Sequence, residues 1–360
     1  MKRLNSIDAF RGLSILWMFL GHLLKWWLIE QEVWLYDIVF MIFDPIGSSA
    51  FIFIAGLSTA ISLRSRYLKA ENSENYDKSL IKREYLFRAL LIFIIALTYN
   101  ASIASSLLNP WYIWTWFVLL TISISQFIAW PIFKLNLFYR IIIGIAIWIL
   151  NQFLLALLLS YQGEVNIFGI LFHIFYHSLD LDVILSFFPY FLFGGILGEL
   201  IFKIYQIKDT ELIKKALKKK VIYPGIVIGI FLIILGILIR FPQFLVNRSL
   251  SWMIYTLGID ITLLIIFMIF EEFIHFKKRM ENGFLFYFSY YSLTVYLAHN
   301  LLYFLFYKQL TILNIWFFIL GVYIGVGYLL KVLYRKFGSK ISLKYQIGRM
   351  ANALAKRKGT

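Results

Sequence analysis

Runs of about 20 apolar residues recur along the whole chain and are separated by short polar segments. As a helix, a run of about 20 residues spans the ~30 Å hydrocarbon core of a bilayer. The polar connections, the longest at 65–83 and 207–220, are too short to fold alone. The pattern therefore predicts an all-α, polytopic membrane protein with a single domain over residues 1–360. The ten predicted spans are 9–29, 38–63, 85–104, 112–133, 141–160, 184–205, 222–239, 252–271, 286–306 and 312–333.

Composition supports the membrane assignment and excludes a soluble globule. Apolar residues make up 61% of the chain and charged residues 15%, whereas soluble domains have about 45–50% and about 25%. The chain has no cysteine, which removes thiol catalysis, disulfides and cysteine-ligated metals.

The net charge of +16 is distributed as a topology signal. With the N-terminus placed in the cytoplasm, the cytoplasmic segments hold 31 of the 35 Lys and Arg residues, and the outer segments hold four. This asymmetry predicts that both termini are cytoplasmic. Anionic lipid head groups, and not nucleic acid, are the expected partner of the basic loops. We expect a multi-pass protein of the plasma membrane.

The first span carries ionisable residues on one face. Arg11 and His22 are eleven residues apart, or three helical turns plus about 20°, and Asp8 lies within about 40° of the same face. His22 is ~16 Å deeper than Arg11, near the middle of the membrane. Asp8 and Arg11 could simply anchor the helix, and His22 could bond to a neighbouring helix. An ionisable group inside a membrane is, however, a functional candidate by default.

The second span contains a predicted break. Asp44 precedes Pro45, which disfavours helical geometry at the residue before it, and Gly47, Ser48 and Ser49 suit an irregular turn. Broken helices at membrane depth occur where they are buried in protein or line a wet cavity.

The ninth span offers Ser292, Tyr296 and His299 at i, i+4 and i+7, which places them on one helical face. We expect His22, Asp44 and His299 to reach a similar depth in the middle or outer leaflet.

A second histidine pair, His173 and His177, has i, i+4 spacing in an outer segment near Asp180 and Asp182. Such spacing suits zinc, but the pair lacks the glutamate of H-E-x-x-H, and an interfacial amphipathic helix explains it equally well. We expect no metal.

Four motifs resemble one enzyme family. They are RLNSIDAFRGLSILWMFLGH (3–22), FIFIAGLSTAISL (51–63), FFPYFLFGGILGELI (187–201) and YYSLTVYLAHN (290–300). The chain resembles the heparan-α-glucosaminide N-acetyltransferase catalytic-domain family, and the wider transmembrane acyltransferases with an Arg-x10-His signature. The loop LIEQEVWLYD after the first span has no histidine, so the resemblance points to His22.

The resemblance implies an acyl-CoA donor, expected to be acetyl-CoA, on the cytoplasmic side and an extracytoplasmic glycan or lipid-linked sugar as acceptor. The donor phosphates suit arginine and lysine, and the candidates are Arg11, Lys82, Arg83 and Arg88. His22 could act as general base or take the acyl group itself, and Asp44 could orient it. The candidate catalytic residues are His22, Asp44 and His299, with Asp8, Ser48, Ser49, Ser292 and Tyr296 as further polar groups.

A transporter or flippase of a sugar or lipid is the alternative, since intramembrane His and Asp and a broken helix are also transporter features. No repeat relates the two halves of the chain. A non-catalytic membrane scaffold ranks last, because it would make the buried ionisable groups accidental.

The predicted topology can be tested with single cysteines, because the native chain has none. We expect Lys219→Cys to react with a membrane-impermeant maleimide only when the cytoplasmic face is exposed, and Gln162→Cys only from outside. Reaction of both from the same face of sealed vesicles would contradict the topology.

Overall fold

The computed structural model describes residues 4–72, 78–177, 181–246, 248–274 and 283–357. Within these ranges the chain is helical and forms no strand, and one isolated bridge joins Leu28 to Leu310. The helices are α1 Asn5–Trp27, α2 Trp34–Phe43, α3 Ser48–Glu71, α4 Lys78–Ser106, α5 Val118–Ile132, α6 Leu137–Leu158, α7 Ile167–Tyr176, α8 Ile184–Ile204, α9 Thr210–Leu217, α10 Tyr223–Ile239, α11 Leu250–Glu272, α12 Phe284–Tyr290, α13 Ser292–Ala298, α14 Ile315–Phe337 and α15 Leu343–Arg357.

Eight helical segments in the described ranges are long and apolar enough to cross a membrane. They match eight of the ten predicted spans. The predicted fourth span contains only the 15-residue helix α5. The predicted ninth span, 286–306, is not one continuous helix: α12, α13 and a 3-10 turn, His299–Phe304, follow one another there. Ser289 and Ser292 flank the first junction.

The predicted break in the second span is confirmed. α2 ends at Phe43, a 3-10 turn runs Asp44–Ile46, and α3 begins at Ser48. Gly47 lies against α1, because a side chain there would come within 3.3 Å of the Trp17 indole. The break therefore packs inside the bundle, where irregular backbone is tolerated at membrane depth.

Helices α3 and α8 form the tightest contact in the core. A Cβ at Gly194 would lie 2.0 Å from the Phe53 carbonyl oxygen, and one at Gly56 would lie 1.9 Å from that of Phe191. The two phenylalanines are fully buried. Glycine lets membrane helices approach until their backbones touch, which maximises van der Waals contact where the hydrophobic effect between helices is weak.

Helix α1 lies centrally, in contact with α3, α11, α12 and α14. Its N-terminus is held by Glu271 of α11, whose carboxylate accepts hydrogen bonds from the backbone N–H groups of Asn5 at 3.0 Å and Ser6 at 2.8 Å. These are two of the four donors that a helix leaves without intrahelical partners. The negative charge also favours the positive end of the helix dipole.

The close contact of α3 and α8 predicts that Gly194→Ala destabilises the protein. The added methyl group cannot avoid the Phe53 backbone, and we expect the apparent Tm in detergent to fall by roughly 5 °C. Gly325→Ala on α14 is the matched control, since a Cβ there meets nothing within 4 Å. An equal effect of the two substitutions would contradict the packing explanation.

Candidate active site

Two imidazoles from opposite ends of the chain meet beside a tryptophan. The ring centroids of His22 on α1 and His299 are 4.8 Å apart. Trp26, one turn after His22, stacks on His22 at 4.8 Å and on His299 at 5.6 Å. His299 is buried and His22 is half-buried. The structure thus joins two of the three sequence-predicted catalytic residues in one aromatic cluster, and it adds Trp26.

The contacts of His299 define which ring nitrogen is available. Its Nδ1 lies in hydrogen-bonding contact with the backbone carbonyl of Tyr296. A carbonyl oxygen only accepts, so Nδ1 carries the proton and donates it. In the neutral ring, Nε2 then keeps a lone pair. That nitrogen is buried and has no hydrogen-bond partner among the described residues. It is placed to take a proton from a bound molecule.

Tyrosines extend this cluster. The Tyr296 and His299 ring centroids are 5.6 Å apart, and Tyr99 of α4 lies 6.0 Å from Tyr296. The Asn300 side chain donates to the Tyr99 hydroxyl at 2.7 Å. Ser292, the third residue of the predicted face, is buried at the start of α13.

Arg11 is buried in a polar network that joins three helices. Its guanidinium contacts Asp8 at 3.2 Å, the Ser289 hydroxyl at 3.3 Å and the Ser58 hydroxyl at 2.5 Å. The Ser289 hydroxyl also donates to Asp8 at 2.9 Å. The predicted pairing of Asp8 with the Arg11 face is therefore present. It connects α1 to α3 through Ser58 and to α12 through Ser289.

Two further arginines lie at the same end of the bundle. Arg66 of α3 and Arg88 of α4 line a small cavity between these helices, together with Glu84. Arg66 forms an ion pair with Glu84 at 2.5 Å. Arg11 and Arg66 are both within electrostatic range of Arg88. The cavity is also lined by Thr59, Ser62, Leu63, Tyr85 and Gln126.

The other two predicted phosphate ligands do not line this cavity. Lys82 is exposed, and Arg83 donates to the Ser79 hydroxyl at 3.3 Å. Arg66 lines it instead. Sequence reasoning assigned Arg66 only to the positive-inside count, because it belongs to the basic stretch RSRYLK at the end of a span.

Asp44 lies in a second cluster, formed by carboxylates at the opposite, predicted outer end of the helices. Its described electrostatic interactions are with Asp182, Asp260, Arg248 and Tyr190, and not with either imidazole. Asp182 accepts hydrogen bonds from the Ser48 hydroxyl and from the Val118 N–H. Asp182 is also within electrostatic range of Tyr296, which links this cluster to His299.

Asp260 of α11 is the residue of this cluster that sequence reasoning missed. It is fully buried in the middle of α11, whose other carboxylates, Glu271 and Glu272, lie at its C-terminal end. The Ser49 hydroxyl faces it but donates its single proton to the Pro45 carbonyl at 3.0 Å. Neither carboxylate oxygen of Asp260 has a hydrogen-bond partner among the described residues. A lone aspartate within an apolar run was the available signal.

The outer histidine pair lies on α7 and at its end, and its described ring contacts do not include His22 or His299. The rings of His173 and His177 are 4.4 Å apart, and they contact Trp111 at 4.9 Å and Tyr112 at 5.2 Å, respectively. Asp180 lies outside the described residues. Over the part of the chain that is described, no three His, Asp or Glu side chains are grouped as metal ligands would be.

Two imidazoles in contact within a helical bundle, with arginines at one end and carboxylates at the other, are groups that could serve group-transfer chemistry in a membrane. The family model "Heparan-alpha-glucosaminide N-acetyltransferase, catalytic" matches residues 3–229. The match covers well over half of the chain. The chain therefore belongs to this family, which makes it a membrane acetyltransferase. The matched region includes Arg11, His22 and Asp44, whereas His299 lies beyond it. A search of curated proteins finds no match.

The environment of Asp182 predicts a pH dependence of stability. This residue lies in the loop before α8, and burial raises the pKa of its carboxyl to about 6, opposed by the Ser48 hydroxyl, by Arg248 and by the Val118 N–H. Because the pKa in the folded protein exceeds the ordinary value, ionised Asp182 destabilises the fold above about pH 6, and this cost disappears as the carboxyl is protonated toward lower pH.

We therefore expect Asp182→Asn to raise the apparent Tm at about pH 8, and we expect the gain to shrink by about pH 5. The amide oxygen still accepts from Ser48 and Val118. Asp37→Asn, at an exposed position, controls for the change in net charge. A gain that is constant with pH, or larger in acid, would contradict the assignment.

Proposed function

We propose that this protein transfers an acetyl group from cytoplasmic acetyl-CoA to an amine or hydroxyl of an extracytoplasmic glycan or lipid-linked sugar at the plasma membrane. The observation that carries the proposal is the contact of His22 with His299, whose ring centroids are 4.8 Å apart. His22 lies on α1, the helix that also carries Arg11. The two ends of this helix would serve the two substrates.

The arginines support a donor site at the predicted cytoplasmic end. Acetyl-CoA is a polyanionic nucleotide on a long, thin arm that ends in the thioester. A planar guanidinium can bond two phosphate oxygens at once, and Arg66, Arg88 and Arg11 follow one another from the end of the bundle inward. His22 lies ~16 Å beyond Arg11 on the same face. The arm would follow this face to the imidazoles.

His299 supports acid–base chemistry at the reacting end. Its Nε2 would accept the proton of the acceptor amine or hydroxyl as that group attacks the thioester carbonyl. The new C–N or C–O bond forms, the C–S bond breaks, and the same proton passes to the departing thiolate. Protons and electrons then balance without a further reactant. Donation from Nδ1 to the Tyr296 carbonyl would hold the ring in the required tautomer.

His22 has two roles that fit its position. It could stabilise and orient the reacting groups beside His299, or it could accept the acetyl group first and pass it to the acceptor. The second route forms an acetyl-imidazole, and rapid quenching of donor-loaded protein followed by mass spectrometry would detect it.

The carboxylate cluster supports an acceptor site at the predicted outer end. Asp44, Asp182 and Ser48 offer oxygen atoms that can hydrogen-bond sugar hydroxyls or an amine. Tyr296 lies between this cluster and His299, since it contacts the imidazole and is within electrostatic range of Asp182. An acceptor held there would present its nucleophile to the imidazole pair from the outer side. In this proposal Asp44 serves the acceptor instead of orienting an imidazole.

Sealed vesicles of known orientation test the proposal. We expect acetyl-CoA to be consumed only when it is supplied on the cytoplasmic face, with the acetylated sugar appearing on the other face. His22→Ala and His299→Ala should each reduce turnover by about 10²–10⁴-fold in folded protein. His173→Ala, a histidine of the separate outer pair, should stay within about twofold.

Two results would overturn the proposal. Wild-type turnover in both histidine variants would show that neither imidazole takes part in the reaction. Movement of sugar across the membrane without consumption of acetyl-CoA would favour a transporter, which the broken helices would also suit.

A further inference from the structure

A glutamate lines the cavity between α3 and α4 that Arg66 and Arg88 also line. Glu84 is buried at 5% exposure, and its carboxylate contacts Arg66 at 2.5 Å. Arg88, one turn further along α4, is within electrostatic range of both. A carboxylate paired with one guanidinium and within electrostatic range of a second lies where a phosphate could interact with the same two charges.

The cavity is too small for a phosphate group while this ion pair is closed. Its free volume is about 30 Å³, enough for one or two water molecules. Part of the polar wall comes from α3, where Ser62 and Arg66 are four residues apart on one face. Separation of Arg66 from Glu84 would open space between these helices.

The ion pair is built so that it can separate. The Arg66 side chain is 30% exposed and that of Glu84 is 7% exposed. Arg66 can therefore turn toward an anion arriving from the aqueous side, while Glu84 stays within electrostatic range of Arg88. Breaking a buried ion pair is costly chiefly when it leaves a charge without a partner, and the nearby charge of Arg88 lowers that cost.

We propose that Glu84 holds the place of a donor phosphate and is displaced by it, so that Glu84 sets the affinity for phosphate-bearing donors. This inference rests on the proposed function, because it takes the cavity as the donor site. In this proposal Arg66 binds the incoming phosphate. Glu84 lowers the affinity for the donor, because its ion pair with Arg66 competes with the phosphate.

The chain offers a matched control in Glu199. This buried carboxylate also pairs with two arginines, Arg64 and Arg140, at 2.7 Å each. It does not line the cavity, and Arg140 is almost fully buried. Glu199→Gln removes the same charge from a comparable buried site that does not line the cavity.

The test compares two donors, acetyl-CoA and S-acetylpantetheine, which has the thioester arm but no nucleotide phosphates. We expect Glu84→Gln to lower the KM for acetyl-CoA by about five- to tenfold, the effect of removing one charge-assisted contact that competes with the phosphate. The KM for S-acetylpantetheine should change by less than about twofold, and Glu199→Gln should leave both KM values near wild type. Glu84→Asp, with a shorter side chain, should act in the same direction but less strongly, and it carries the test if Glu84→Gln does not fold.

Two results would overturn the proposal: an unchanged or higher KM for acetyl-CoA in Glu84→Gln, or an equal shift for both donors. The second would show a general structural effect. Failure of the proposed function is distinguishable, because the wild-type protein would then consume neither donor.

Discussion

The positive charge of Arg11 inside the bundle is the constraint on which the rest of the site depends. A charge at this depth is stable only when neighbouring groups replace water around it. Asp8 and the Ser58 and Ser289 hydroxyls do so, and they belong to three different helices. Their contacts fix the rotation of α1 against α3 and α12. Because His22 lies three turns further on the same face, the network that satisfies Arg11 also determines where His22 points.

The partner of His22 is fixed by a different feature, the interruption of the helix that carries His299. Here α13 ends at Ala298 and a 3-10 turn follows. The His299 side chain donates from Nδ1 to the Tyr296 carbonyl at this interruption. The backbone at the break thus helps to fix both the position of the ring and the nitrogen that it presents.

Much of this fold could be predicted from hydrophobic runs, since membrane helices are defined by length and apolarity alone. The helix break at Pro45 could also be predicted, because proline disfavours helical geometry at the residue before it. The division at Tyr291 was not, since nothing in YYSLTVYLAHN excludes a helix. Shared depth could suggest that His22, Asp44 and His299 meet, but only helix packing separates Asp44 from the imidazoles. The ion pair of Arg66 and Glu84 could not be predicted, because charged residues at the end of a span are also what membrane topology requires.

The glycine contact between α3 and α8 has a mechanical consequence. Where two backbones touch, neither helix can slide or tilt without a collision, so α3 is anchored to α8 along this contact. Helix α4 touches α3 sparsely and packs mainly on α5 and α15. The cleft that holds Arg66 and Arg88 therefore has one wall, α3, that is anchored by backbone contact, and one wall, α4, that touches α3 sparsely. A widening of that cleft would move α4 away from α3 more easily than it would move α3 away from α8.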